Sequence, residues 1–151
     1  MELISTAWHA FSAALTLLCG GIVGIVLSRY FNVTTQRSVF LYAWHTFFCF
    51  VYSVYVINDG GDALGYYFSS LNIDRPFGPG SAGVIYLTSI FSNYLDFSFL
   101  GTFFVFNIFG FIGLLAFYAS LQEVAVYKSR NIRRLVLLIV LLPSVSFWSS
   151  A

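Results

Sequence analysis

Between Ser38 and Ile57 the chain runs for twenty residues without a formal charge. That run decides what kind of fold is open to it. Twenty helical residues rise about 30 Å, the thickness of a bilayer's hydrocarbon core. Ala7 to Leu27 and Phe97 to Leu121 are also uncharged, and Leu135 to Trp148 begins a fourth apolar stretch. Only 9% of the residues are charged, against about 25% in an average soluble domain, while 59% are hydrophobic and 21% aromatic. A soluble fold of this length has too little interior to hide that much apolar surface. The expected class is an all-α integral membrane protein, one transmembrane domain over 1–151 with about four spans. Its first partner is the lipid bilayer. A net charge of +1 gives no ground for a nucleic-acid partner.

The spans differ in texture. Gly20 and Gly24 form a G-x-x-x-G step in the first, which lets another helix approach closely. The second is dense in aromatics, including Tyr42, Trp44, Tyr52 and Tyr55, and it holds His45, which is expected to hydrogen-bond a facing helix. Asn107 is the one strongly polar group of the third span and is expected to bond to a neighbouring helix. Cys19 and Cys49 both fall in apolar runs, with neither disulfide nor metal-ligand spacing, and read as packing residues. Met1-Glu2 lacks the basic flank of a secretory signal. No internal repeat or low-complexity tract is visible.

Between the second and third spans the pattern breaks. Asp62 is placed to cap a short helix running to about Leu71, its carboxylate accepting from free first-turn N–H groups. After Arg75-Pro76-Phe77-Gly78-Pro79-Gly80, residues Val84, Leu87, Phe91 and Tyr94 recur at helical spacing. Two short helices lying in the membrane interface, joined by a Pro/Gly turn, are the expectation.

Charge sets the orientation. Arg29 and Arg37 lie in the first connection, and Lys128, Arg130, Arg133 and Arg134 lie in the third. In a four-span chain these share one side, which the positive-inside rule assigns to the cytoplasm. Asp59, Asp62, Asp74 and Asp96 then fall on the opposite face, with the N-terminus outside.

The chemistry is concentrated in Asn58-Asp59-Gly60-Gly61-Asp62, where the second span ends. A carboxylate at the water–lipid boundary can stay charged without the cost of hydrocarbon. Asp59 and Asp62 can hold a divalent cation through oxygen ligands, or one of them can act as a general base. Gly60 and Gly61 let the backbone fold so that the two side chains converge. Tyr66 and Tyr67 offer hydroxyls and flat faces suited to a sugar, and Arg75 can answer a phosphate bidentately. Structural roles are open to the same residues: Asp62 as a helix cap, Asp59 as a solvated loop residue, the tyrosines as interface anchors, Arg75 as a headgroup contact. A metal site using His9 needs that residue brought to the aspartates.

An Asp at the outer end of a span, then an Asp-x-x-x-Tyr step (Asp62 to Tyr66), then interfacial helices, resembles the GT-C-type membrane glycosyltransferases. The ending Leu142 to Ala151 is similar to a Pro-Ser-x-x-Phe-Trp-Ser-Ser pattern found in bacterial membrane proteins, among them relatives of polysaccharide repeat-unit polymerases. The resemblance implies a polyprenyl-phosphate-linked sugar donor and a glycan, lipid or protein acceptor, in the bacterial inner membrane. Asp59 or Asp62 would activate the acceptor or bind Mg or Mn, and Tyr66 would shape the donor pocket. Such enzymes are longer, with more spans, so the chain is expected to be the N-terminal portion of a larger polytopic protein, inactive alone. A repeat-unit polymerase would need much the same loop. The reading from another class is a small four-span assembly or transport subunit without catalysis.

Overall fold

In hydrocarbon a backbone satisfies its own polar groups only as a helix or a closed barrel, and the apolar runs here become helices. The computed structural model describes residues 6–72, 76–124 and 130–142. In chain order the elements are α1 (Ala7–Tyr30), α2 (Thr35–Asp59), α3 (Asp62–Ser70), α4 (Ser81–Ser89) with a π-helical turn (Ile90–Tyr94), α5 (Phe99–Val124) and α6 (Arg130–Val140). Three helices, Ala7–Tyr30, Thr35–Asp59 and Phe99–Glu123, are long and apolar enough to cross a membrane. The two short helices expected between the second and third spans are α3 and α4. The fourth apolar stretch enters α6, which covers 11 residues. Its remainder from Pro143 lies outside the described residues, as do Asp74, Arg75 and Lys128.

The helix ends follow from local chemistry. Asn32 takes φ 53°, the left-handed conformation that Asn tolerates better than most residues. This lets the Val33 N–H reach the Ser28 carbonyl at 2.8 Å and the Asn32 N–H reach that of Arg29 at 3.3 Å. These are the paired bonds of a Schellman motif, which satisfy the last carbonyls of α1. Helix α2 ends on Gly60 at φ 82°, its N–H bonded to the Val56 carbonyl at 2.9 Å. Gly61 is extended and serves as the N-cap of α3.

The contacts divide the chain into two units, residues 1–17 with 53–105 and residues 18–52 with 106–151. In the first, α3 packs on α4 and on the π-helical turn. Its buried side chains include Ala13, Val56, Ile85, Phe99, Leu100 and Phe103. The second has a core of Leu41, Phe111, Leu114, Leu115, Tyr118, Val136 and Val140. There α1 approaches α2 through its glycines. The Ser38 hydroxyl donates to the Gly24 carbonyl at 2.8 Å, and a side chain at Gly20 would meet the Tyr42 ring. The G-x-x-x-G step is thus a close-approach surface, as expected.

Polar groups of the second unit bond across helices, although Asn107 Oδ1 is buried without a hydrogen-bond partner among the described residues. Asn107 Nδ2 donates to Thr46 Oγ1 at 3.0 Å, joining α5 to α2, and fully buried His45 hydrogen-bonds the Asn107 backbone. Trp44 Nε1 donates to the Leu141 carbonyl at 3.2 Å, satisfying one of the orphan acceptors at the end of α6. Cys49 is buried and Cys19 exposed.

Candidate functional site

Asp59 is the last residue of α2 and Asp62 the first of α3, separated only by the Gly60-Gly61 turn. Both are exposed. Asp62 lies inside the first helical turn, and α3 has no side-chain cap bond. The expected capping role is therefore not the one it plays. Its carboxylate instead faces the positive end of the α3 dipole, a favourable place for negative charge. Asp59 sits at the negative end of α2, an unfavourable one. Among the described residues no group of three or more His, Cys, Asp or Glu side chains is arranged to hold a metal ion. Arg75 lies outside the described residues.

The two tyrosines part company. Tyr67 OH donates to the Phe97 carbonyl at 3.2 Å, and its ring meets Phe99 edge-on at 5.4 Å. Burial raises the Tyr67 pKa above its ordinary value, and the nearby Asp96 charge adds to the shift. The residue is committed to the 96–99 segment as a neutral phenol. Tyr66 is half-buried on α3.

Polar contacts fix α3 against α4. Asn93 Nδ2 donates to the Ser70 carbonyl at 2.6 Å, and the Ser70 and Ser92 hydroxyls share a bond of 2.9 Å. The π-helical turn carries Ser92 and Asn93 together, and so supplies two partners to the C-terminal end of α3. Wide turns of this kind recur at functional sites. The chain leaves it through a Phe97 N–H bond to the Phe91 carbonyl at 2.9 Å, with Asp96 at φ 51°. Asp, like Asn, enters this left-handed region more readily than most residues.

Asp96 is a residue that the sequence offered only as one more external acid. His9 Nε2 lies 3.9 Å from its Oδ1, and the Asp96 side chain is 81% exposed. Trp8 Nε1 donates to the adjacent Leu95 carbonyl at 2.9 Å. The start of α1 is thereby tied to the 95–97 segment. His9 thus pairs with Asp96, the acid that precedes the third span. The signal available in the sequence was that both residues sit at span ends assigned to one face.

The second unit holds a cleft of about 540 Å³ between the α1–α2 connection, the start of α2 and the last turns of α5. Arg37, Tyr118, Gln122 and Glu123 line it, beside Phe31 and Val33. Tyr118 OH accepts from Arg37 Nη1 at 3.4 Å and from Gln122 Nε2 at 2.8 Å. Nothing in the local sequence pointed here, because Arg37 and Tyr118 are 81 positions apart.

No protein-family model, curated protein or solved structure matches this chain.

Proposed function

We propose that this protein is a membrane glycosyltransferase. In this reading it takes a sugar from a polyprenyl-phosphate carrier at the outer face of a bacterial inner membrane and passes it to a glycan, lipid or protein acceptor. The placement of Asp59 carries the reading. A carboxylate at a helix C-terminus opposes the dipole and costs about 0.3–1 kcal/mol. No ion pair among the described residues offsets it at Asp59. Proteins break such local rules at functional or strained sites. Helix α3, held rigidly through Ser70, Ser92 and Asn93, presents Asp62 and Tyr66 just beyond the same two-glycine turn.

Four crossings complete this reading, with Leu135 to Trp148 as the fourth, the six basic residues of the first and third connections in the cytoplasm, and α3 and α4 lying in the outer interface. Asp59 then works at the depth where a lipid-linked phosphate meets water. An acceptor hydroxyl attacks the anomeric carbon of the donor, its proton passing to a carboxylate of Asp59 or Asp62. The bond between that carbon and the phosphate oxygen breaks, and the polyprenyl phosphate leaves as the anion. Tyr66 offers a flat face to the sugar ring. Tyr67, with its hydroxyl spent on Phe97, holds α3 in place. A divalent cation at this turn would draw on Asp59 and Asp62 and stabilise the leaving phosphate.

Deletion of the gene in its native cell tests the reading. Extracted carrier lipids should accumulate in their glycosylated form, and a plasmid copy should restore their consumption. Carrier pools identical with and without the gene would refute it.

A further inference from the structure

The cleft lined by Arg37, Tyr118, Gln122 and Glu123 is independent of the turn at Asp59 and supports a ligand of its own. Its volume of about 540 Å³ lies within the range of small-molecule sites, about 300–1,000 Å³. Three features define what fits. Arg37 and Glu123 line the same cavity from different helices, yet among the described residues no ion pair joins them. The cavity therefore offers one fixed charge of each sign. Tyr118 is the second feature. Arg37 and Gln122 both donate to the Tyr118 oxygen. Tyr118 itself is 1% exposed, so it anchors one arm of the Arg37 guanidinium from behind and leaves the rest of that fork to the cleft. The third is location. The cleft is bounded by the residues following Tyr30, where α1 ends, by those around Thr35, where α2 begins, and by the last turn of α5. The ends of membrane-spanning helices lie at the level of lipid headgroups.

We infer that this cleft binds a phospholipid headgroup carrying both a phosphodiester and a primary ammonium, that is, phosphoethanolamine. The Arg37 fork, with one arm on Tyr118, keeps N–H groups for a phosphate oxygen. Glu123 accepts from the ammonium. Phe31 and Val33 stand where the glycerol backbone turns toward the acyl chains. A choline headgroup has no N–H to give Glu123. Phosphatidylglycerol brings a phosphate with no cation, and leaves the Glu123 carboxylate unanswered.

The test places the full chain in phosphatidylcholine nanodiscs containing equal minor fractions of phosphatidylethanolamine and phosphatidylglycerol, with co-retained lipid read by native mass spectrometry. Wild-type protein should retain phosphatidylethanolamine about tenfold over either competitor, the discrimination one charge-assisted contact supplies. Glu123→Gln should abolish the preference over phosphatidylglycerol, and Arg37→Gln should lower retention of both. Tyr118→Phe fills the same core volume, so it should fold as wild type by circular dichroism and still retain less phosphatidylethanolamine. Equal retention of the three lipids by wild type, or an unchanged preference in Tyr118→Phe and Glu123→Gln, would overturn the assignment. Glycerophosphoethanolamine binding from solution as tightly as the lipid would also overturn it, by moving the ligand out of the bilayer.

Discussion

Replacing Gly24 by alanine isolates the packing that joins α1 to α2 and α5. A Cβ at Gly24 would stand 2.9 Å from Phe111 Cε1, 3.4 Å from its Cζ and 3.5 Å from Ser38 Oγ. The first distance is inside van der Waals contact. The ring has nowhere to retreat, because Phe111 is fully buried among Leu41, Leu114, Leu115 and Tyr118. Overpacking of a closed core costs about 1–3 kcal/mol. Pushing α1 outward instead stretches the 2.8 Å bond from Ser38 to the Gly24 carbonyl, worth about 1 kcal/mol. Against this, alanine gains about 1 kcal/mol of helix propensity. Gly113 is the control, because a Cβ there meets nothing within 4 Å, so Gly113→Ala keeps the propensity gain alone. Gly24→Ala should be less stable than Gly113→Ala by about 1–3 kcal/mol, because the propensity gain is common to both, measured by SDS-induced unfolding in micelles and followed by far-ultraviolet circular dichroism. Adding Phe111→Leu to Gly24→Ala should recover part of the loss, so the two changes are non-additive. Equal stability of the two alanine variants would refute the close-approach argument.

Three further outcomes follow from the same contacts. In a Cys19→Ala, Cys49→Ala background, cysteine at Ser69 should react with an impermeant thiol reagent in intact cells and cysteine at Arg130 should not; the reverse pattern would invert the orientation. The folded pKa of Tyr67 is raised above 10.0, so its contribution to stability is full below pH 10 and lost as pH rises through the folded value. Tyr67→Phe should flatten the stability loss above pH 10 and remove a late component from the tyrosinate absorbance titration, and an identical titration in the variant would count against the Phe97 contact. Asn107→Leu and Thr46→Val should each destabilise by about 0.6–2 kcal/mol, with the double variant losing less than the sum; strict additivity would mean that the 3.0 Å bond carries no energy.

The three long helices were legible because hydrocarbon thickness sets a length that Ser38 to Ile57 and its counterparts match. They overrun the apolar stretches at several ends: α1 continues to Tyr30 and α2 begins at Thr35. Hydrogen bonding carries a helix into the interface until a residue such as Asn32 or Gly60 can take a positive φ. Helix α4 was legible from periodicity, and α3 from the acid at its start. The π-helical turn at Ile90–Tyr94 was not, because 5 residues are too few for its wider i→i−5 winding to show as a period in the sequence. Asp62 followed a cap-like pattern but entered the first turn, since Gly61, in extended backbone, already filled the cap position. The Gly20/Gly24 step was visible, whereas Tyr42 and Phe111, against which it packs, were not. Long-range pairings also hid His9 with Asp96 and the Arg37–Tyr118 cleft, where no local rule links residues on different helices.

Chemistry at the Asp59-Gly60-Gly61-Asp62 turn is separated from folding by neutralising its two carboxylates. Asp59→Asn and Asp62→Asn are introduced into the intact gene, and transfer of sugar from the carrier lipid is measured alongside the membrane level and unfolding midpoint of each variant. Asp59→Asn relieves a charge at the wrong end of α2, so stability should hold or rise by about 0.3–1 kcal/mol. Asp62→Asn forfeits about as much at the start of α3. Both should abolish transfer with membrane levels unchanged. Transfer at the wild-type rate in both variants would leave the turn as a helix junction alone.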